Sequence, residues 1–263
     1  MSFASNKGKS NMRSRGIEPR FYRNAMGLKR FKSFVVGYKD SDLWIGIDPG
    51  SYHNNIPSFA HEQLIDLRKE LESYILRNPE FARSMQPVEL SNQAPQIAVE
   101  MAHAAKLANT GPMAAVAGAF SEYIATAIKN KFAVNEVVVE NGGDIFMYIT
   151  HKLNLSVYAG KSSFSQKIGL QIDDAYSPLA VCTSAATVGP SVSFGKADAV
   201  MVAAKNAAYA DAFATAIGNN VKSKHSIEQA LNIMNVQTQI ISLLIICDEN
   251  IGLKGAFQLL PIT

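Results

Sequence analysis

Cysteine is scarce in this chain: its 263 residues include only Cys182 and Cys247. Two thiols are too few for the disulfide framework of a small secreted domain or for a four-cysteine zinc site. The five histidines show neither i,i+4 spacing nor a cysteine partner, so they indicate no zinc site. No apolar stretch resembles a secretory signal. We therefore expect a cytoplasmic protein in which Cys182 is a buried, unreactive thiol.

Long apolar runs are also missing, and a membrane-spanning helix needs about 20 consecutive apolar residues. The run at residues 240–247 has only the length of a strand, and the alanine-rich stretch that begins at Met113 is interrupted by Glu122. Both are typical of buried core segments. The membrane is not an expected partner.

Basic residues are concentrated at the N-terminus, where few acidic residues balance them. Residues 1–32 contain nine Lys or Arg and one Glu, which gives +8 against a total of +3 and leaves −5 for the rest of the chain. The segment is predicted to be a basic, flexible tail, with an anion-binding arm or a transit peptide as alternatives. Because no nucleic-acid motif accompanies it, nucleic acid is not an expected partner. Residues 33–263 are predicted to form one domain.

The hydrophobic pattern predicts helices and strands in separate blocks. The predicted helices cover residues 58–77, 95–108, 112–131, 206–217 and 226–234. The predicted strands cover residues 31–38, 42–48, 136–140, 145–149, 153–159, 167–172, 179–183 and 196–203, with others from 239 and 255. A βαβ alternation is absent, so the pattern favours an α+β fold with a mixed, largely antiparallel sheet packed against helices.

Asp211 stands almost alone among alanines. The helix at residues 206–217 has only two strongly polar members, Asp211 and Thr215, and their spacing of four places them on one face. An unpaired buried carboxylate would cost several kcal/mol. One interpretation is a salt bridge or hydrogen bonds from backbone N–H groups. The other is Mg²⁺, which prefers oxygen ligands.

Two glycine-rich segments are candidate ligand contacts. Asn141-Gly142-Gly143-Asp144 separates two strand-like runs, which is typical of a hairpin turn but also lets a ligand approach the backbone. Residues 182–198 follow a strand with hydroxyl and glycine residues such as Thr183 and Ser184, as in phosphate-binding loops, although a polar surface loop fits equally. The Walker A spacing is not met.

The start of the alanine-rich helix, residues 110–119, has almost no bulky side chain. Gly111 and Gly118 lie in this stretch. A helix face of small side chains lets helices pack closely. It also leaves a flat surface on which a planar ligand could lie, with the helix N-terminus facing a phosphate. Both interpretations stay open.

Taken together and in order, three motifs resemble those of the ApbE-like superfamily, whose members include FAD:protein FMN transferases. They are V-E-N-G-G-D-I at 139–145, C-T-S at 182–184 and A-D-A-F-A-T-A at 210–216. The chain is most similar to a shorter branch of this superfamily. The sequence segments that resemble this branch lie at residues 21–23, 41–43, 111–118 and 192–199.

The resemblance implies a T-fold-like architecture with a cleft for FAD or a related flavin nucleotide. It implies Mg²⁺ bound by Asp211 and Thr215. The cofactor contacts would be Asn141, Gly142, Gly143, Asp144, Thr183, Ser184, Gly111 and Gly118. In the transferases, FMN passes from FAD to a threonine hydroxyl of an acceptor protein.

The chain departs from the transferase pattern at two places. Ala117 stands where the transferases have a lysine, and the histidine-containing segment is shortened around Pro190. No residue is therefore assigned as a general base, and the catalytic residues stay unknown.

Two hypotheses follow. The first is a Mg²⁺-dependent enzyme that transfers FMN or cleaves the FAD pyrophosphate. The second is a binding or accessory protein without transferase activity, with a role in sulfur assimilation into homocysteine, a pathway with which this branch is associated in anaerobes. A nucleotide ligand and an acceptor or pathway protein are the expected partners, and a homo-oligomer is left open.

Overall fold

The computed structural model describes residues 30–185 and 195–262. The helices are α1 (Ile56–Arg77), α2 (Glu80–Arg83), α3 (Gln96–Ala108), α4 (Val116–Phe132), α5 (Ala207–Asn220) and α6 (Ile227–Leu231). The strands are β1 (Lys32–Tyr38), β2 (Ser41–Ile47), β3 (Val137–Asn141), β4 (Asp144–Tyr148), β5 (Leu153–Ser156), β6 (Ile168–Ile172), β7 (Leu179–Ser184), β8 (Ala199–Ala204), β9 (Ser242–Cys247), β10 (Asn250–Gly255) and β11 (Gln258–Pro261).

The strands form two sheets. Eight of the described strands make a large sheet in the order β1-β2-β3-β4-β7-β8-β9-β10, and three make a small sheet in the order β11-β6-β5. Every neighbouring pair is antiparallel. Strands β8 and β9 are buried along their whole length, which explains their almost wholly apolar sequences.

The large sheet separates two hydrophobic cores. Alternate residues of one strand point to opposite faces, so Val137 and Val139 pack in the core with the helices while Val138 packs in the other core. The second core includes Leu155 and Leu170 of the small sheet. The described fold therefore has three layers, in which the large sheet lies between the helices and the small sheet.

Helices α3, α4 and α5 contact one another on the helical face of the sheet, where α5 lies against β7 and β8. Their contact surfaces consist largely of alanine and glycine. Small side chains allow the backbones to approach closely, and this approach carries polar groups of α4 and α5 into contact.

The structure confirms the predicted α+β class and the largely antiparallel sheet; the T-fold name stays a prediction.

Residues 1–29 of the predicted tail lie outside the described residues. At the start of the described chain, Arg30 pairs with Glu136, Phe31 is buried and Lys32 opens β1. Among the described residues, no helix is both long and apolar enough to cross a membrane.

Candidate functional site

The predicted motifs meet at one end of the large sheet. The turn between β3 and β4, the end of β7, the start of α4 and the middle of α5 come together there. A Cβ atom added to Gly118 would lie 2.9 Å from the Cβ of Asp211, and one added to Gly143 would lie 3.8 Å from the Cβ of Thr183. Elements that are far apart in the sequence thus form one site.

Asp211 is the central acidic residue of this site. Only 8% of it is exposed, and its Oδ2 accepts a hydrogen bond of 2.9 Å from the Gly118 N–H. Ala115, the N-cap residue of α4, forms no side-chain cap, so Asp211 caps α4 from another helix. Burial raises the pKa of Asp211 to about 7, although the N–H groups of Gly118 and Ala117 oppose the rise. Within the described residues it has no cationic partner.

Hydrogen bonding from the backbone was one of the two sequence interpretations of Asp211, and the Gly118 contact shows it directly. That contact does not exclude a cation, because a carboxylate has about four acceptor positions. Thr215 lies one helical turn further along α5 and is half-buried. The pair therefore stays available as oxygen ligands, and a role in metal binding stays a prediction.

Glu122 is a part of the site that the sequence interpretation did not assign. This residue of α4 accepts hydrogen bonds at Oε2 from the Ala207 N–H at 2.6 Å and from the Asn206 side-chain amide at 3.2 Å. Ala207 is the first residue of α5. Burial and the nearby Glu100 raise the pKa of Glu122 to about 7, while the Ala207 hydrogen bond opposes that rise.

The turn between β3 and β4 exposes backbone to the site. Gly142 has φ of 70° and Gly143 has φ of 103°, conformations that other residues rarely adopt. The Gly143 N–H donates to Glu140 Oε1 at 2.8 Å, and the Asn141 side-chain amide donates to the Ala117 carbonyl at 3.2 Å. The asparagine thus ties the turn to the start of α4.

Asp144 is buried beside this turn. Its Oδ1 accepts a hydrogen bond of 3.1 Å from the Thr183 N–H. Burial and then the nearby Asp211 carboxylate raise its pKa, while the hydrogen bond from the Thr183 N–H opposes the rise. Two neighbouring carboxyl groups therefore disfavour ionisation of each other, and a divalent cation or a proton would relieve that repulsion.

Cys182 is fully buried, and its thiol donates to the Ala207 carbonyl at 3.5 Å. Burial raises its pKa well above the usual range, so the structure supports the prediction of an unreactive thiol. Ser184 lies near Gly218 of α5. Residues 186–194 of the predicted phosphate loop lie outside the described residues.

The two glycines at the start of the alanine-rich helix have packing roles. A Cβ at Gly111 would lie 1.9 Å from the Ser84 carbonyl oxygen, and one at Gly118 would lie 2.4 Å from the Ala207 carbonyl oxygen. Close packing, one of the two interpretations of this stretch, therefore accounts for both. Contact of either glycine with a ligand stays a prediction.

A cavity of about 280 Å³ adjoins the site. Its apolar wall includes Met113, Val116 and Phe120, and Ala117 and Asn141 connect it to the turn between β3 and β4. At its rim, the Arg68 guanidinium donates to Ser41, Asp40 and Glu72. An apolar cavity with a few polar groups is typical of small-molecule sites.

Histidine contributes nothing to this site. All five histidines, His53, His61, His103, His151 and His225, are exposed. Residues 30–185 and 195–262 contain no group of three or more His, Cys, Asp or Glu side chains that could hold a metal. Within the described residues, at most two such side chains at any one place are therefore available to a cation.

Comparison with solved structures shows the fold. The flavin transferase ApbE from Vibrio cholerae superimposes with a TM-score of 0.54 at 14% identity, covering 88% of this chain and 97% of that chain. The flavinyl transferase ApbE of Pseudomonas stutzeri gives a TM-score of 0.55 at 12% identity, with 88% and 94% covered. At these identities the similarity concerns the arrangement of the backbone.

Comparison of sequences shows the family. The chain is 39% identical over 230 residues to UPF0280 protein MJ1526 of Methanocaldococcus jannaschii, which covers 86% of this chain and 91% of the relative. A UPF0280 protein of Methanothrix thermoacetophila is 37% identical over 197 residues, with 74% and 82% covered. The family model described as AbpE bacteria matches residues 23–239. The resemblance expected from the motifs is confirmed, and the chain belongs to this family.

Proposed function

We propose that this protein binds a flavin nucleotide together with Mg²⁺ at the junction of α4, α5 and the turn between β3 and β4. The buried Asp211 carboxylate carries this proposal. It lies beside Asp144, and no described Lys, Arg or His pairs with it. A cation would stabilise the ionised form that burial otherwise disfavours.

The donor set fits Mg²⁺ with few protein ligands. Asp211 offers a carboxylate and Thr215 a hydroxyl on the same face of α5. Magnesium is commonly bound by one or two carboxylates, with water and substrate phosphates as its other ligands. Such an ion would neutralise the charge of a pyrophosphate. The absence of a three-residue cluster among the described residues agrees with a site that the nucleotide completes.

The cavity beside Asn141 is the proposed position of the flavin ring. Its volume of about 280 Å³ suits one ring system rather than a whole dinucleotide. The wall of Met113, Val116 and Phe120 would cover the ring faces. From there, the turn at Gly142 and Gly143 leads toward Asp211, where the phosphates would lie.

Binding is the first test of this proposal. FAD is titrated into the protein with 5 mM Mg²⁺ or with EDTA, and the flavin fluorescence is followed. We expect Mg²⁺ to tighten FAD binding at least tenfold. Asp211→Asn and Thr215→Val should lose that gain, whereas Asp66→Asn, the same charge change on the exposed surface of α1, should keep it. Equal FAD affinity with and without Mg²⁺ would overturn the proposal.

A substitution that fills the cavity distinguishes binding of the flavin ring from binding of Mg²⁺. Ile75 of α1 lines the cavity and is only half-buried, so Ile75→Trp should place an indole where the ring would lie. We expect this variant to bind FAD at least tenfold more weakly while its Mg²⁺ affinity changes little. Unchanged FAD affinity would show that the ring binds elsewhere.

The activity we propose is transfer of FMN from FAD to an acceptor hydroxyl, with release of AMP. The test incubates the protein with FAD, Mg²⁺ and candidate acceptor proteins and then measures covalent flavin and AMP. Free FMN with AMP would indicate pyrophosphate cleavage instead. If FAD binds but stays intact, transfer is excluded for those acceptors.

The exposure of all five histidines favours a second candidate, a binding or accessory protein that retains the cleft. Transfer needs a group that takes the proton of the acceptor hydroxyl. Ala117 supplies only a methyl group where the transferases have lysine. A partner in sulfur assimilation into homocysteine is one form of this candidate, and turnover of FAD by the purified protein alone would contradict it.

A further inference from the structure

Helices α4 and α5 cap each other. Asp211 of α5 accepts a hydrogen bond from the Gly118 N–H in the first turn of α4. Glu122 of α4, one turn after Gly118, accepts from the Ala207 N–H at the start of α5. Each N-terminus thus receives a carboxylate from the other helix, which satisfies backbone N–H groups and the positive end of each helix dipole.

The helices touch here, so the Gly118 hydrogen bond of 2.9 Å is buried and the Ala207 hydrogen bond of 2.6 Å is partly buried. A Cβ at Gly118 would lie 2.4 Å from the Ala207 carbonyl oxygen, so only glycine allows this separation. The same carbonyl accepts from the Cys182 thiol of β7 at 3.5 Å. The first residue of α5 is therefore held from two sides, by α4 and by the sheet.

We propose that Glu122 is a positioning residue that fixes the register of α5 against α4 and thereby holds Asp211 in its place at the site. This inference rests on the proposed function for its relevance to Mg²⁺. The geometric link itself concerns only the protein: Glu122 anchors Ala207, and Asp211 lies four residues along the same helix.

A local helix cap does not explain the contact. The Asn206 side chain already caps α5 by accepting a hydrogen bond of 2.8 Å from the Tyr209 N–H. Glu122 instead ties Ala207 to a neighbouring helix, and it also accepts from the Asn206 amide. Loss of Glu122 should therefore move α5 relative to α4 more than it unwinds α5.

Amide hydrogen exchange tests the link without any metal. In Glu122→Leu, which keeps high helix propensity but removes the acceptor, the Gly118 amide should exchange at least tenfold faster relative to the Ile124 amide of the same helix. Glu122→Gln retains an acceptor oxygen and should stay within threefold of the wild type. Should Glu122→Leu not fold, Glu122→Asp, whose carboxylate is one methylene shorter, should show the same increase.

Mg²⁺ titration of metal-free protein provides the second measurement. We expect the Mg²⁺ Kd of Glu122→Leu to rise at least tenfold and that of Glu122→Gln to stay within threefold. Arg30→Ala is the control, because it destabilises the fold at the other end of β3 and should leave the Kd unchanged.

An unchanged exchange ratio in Glu122→Leu, or an equal loss of Mg²⁺ affinity in Arg30→Ala, would overturn the positioning role. Wild-type protein that binds no Mg²⁺ but shows the exchange response would overturn the proposed function and support the positioning of Asp211.

Discussion

Buried carboxylates at the two ends of β3 are stabilised in different ways. At one end, Glu136 accepts hydrogen bonds from the Arg30 guanidinium and from the Thr150 N–H and hydroxyl. Burial opposes ionisation, but these partners together lower the pKa of Glu136 to about 2. At the other end, Asp211 receives N–H groups without a described cation, and burial raises its pKa to about 7.

The difference separates a carboxylate that is satisfied within the protein from one that is only partly compensated. A carboxylate with a cation and several donors is satisfied within the protein, so it stabilises the fold and has little affinity left for a ligand. A buried carboxylate with N–H donors alone is only partly compensated. Binding of a cation would lower the free energy of such an ionised carboxylate, and a metal-dependent binding site needs this property.

The largest expected effect is at Gly118, where the site depends on the contact of α4 with α5. Gly118→Ala would put a methyl group 2.4 Å from the Ala207 carbonyl oxygen, and backbone must then move. Although alanine favours helices, we expect the free energy of unfolding to fall by about 3 kcal/mol because the contact is overpacked.

Urea denaturation measures this loss. Gly50→Ala is the control, since its nearest neighbour would be Asp48 Oδ2 at an ordinary 3.6 Å. If Gly118→Ala lowers the free energy of unfolding no more than Gly50→Ala does, helices α4 and α5 separate easily. Mutual capping of the two helices would then not order the site.

Removal of the Arg30 guanidinium should destabilise the end of β3 at which Glu136 lies. Arg30→Ala leaves a buried carboxylate with the Thr150 donors and the exposed His151 ring at 3.8 Å, and we expect the free energy of unfolding at pH 7 to fall by about 2 kcal/mol. Because the folded-state pKa of Glu136 is lowered, the stabilisation is present above the unfolded value near 4.5 and is lost as pH falls toward 2.

Urea denaturation at pH 7, 4 and 3 should therefore show a difference between Arg30→Ala and the wild type that shrinks as the pH falls. A difference that is constant with pH would assign the effect to lost packing of the arginine side chain. It would also remove the contrast between the two ends of β3.

Most of the fold follows from apolar patterning, and the exceptions have physical causes. Strand β10 (Asn250–Gly255) was not predicted, because its two glycines interrupt the apolar pattern; the strands expected from residues 239 and 255 correspond to β9 and β11. The structure explains one of the two glycines, since a Cβ at Gly252 would lie 2.3 Å from Ile227 of α6. Helix α2 has four residues, too few for helical periodicity to show.

The site was less predictable than the fold. Asp211 was identified because it is an isolated carboxylate in an alanine-rich helix. Glu122 carries the same signal but was used only as evidence against a membrane helix. Its partner, Ala207, is 85 residues away, and no local pattern indicates which backbone N–H a carboxylate will reach.

The smallest expected effect concerns the charge of Asp211. Its folded-state pKa is raised, so the folded protein binds the proton more tightly, and the stability of the metal-free protein should fall as pH rises from about 4 to about 7. Asp211→Asn keeps an acceptor for Gly118 and removes this titration. The buried amide needs new partners, which offsets part of the gain.

Metal-free Asp211→Asn should therefore be more stable than the wild type by roughly 1 kcal/mol at pH 8. This stability advantage over the wild type should be smaller at pH 5. Thermal unfolding in EDTA at both pH values measures the change. Excess Mg²⁺ should reverse the order at pH 8, because only the wild type has the carboxylate. If the variant is the less stable protein in EDTA at pH 8, the hydrogen bonds of Asp211 already compensate its charge, and the two ends of β3 are alike.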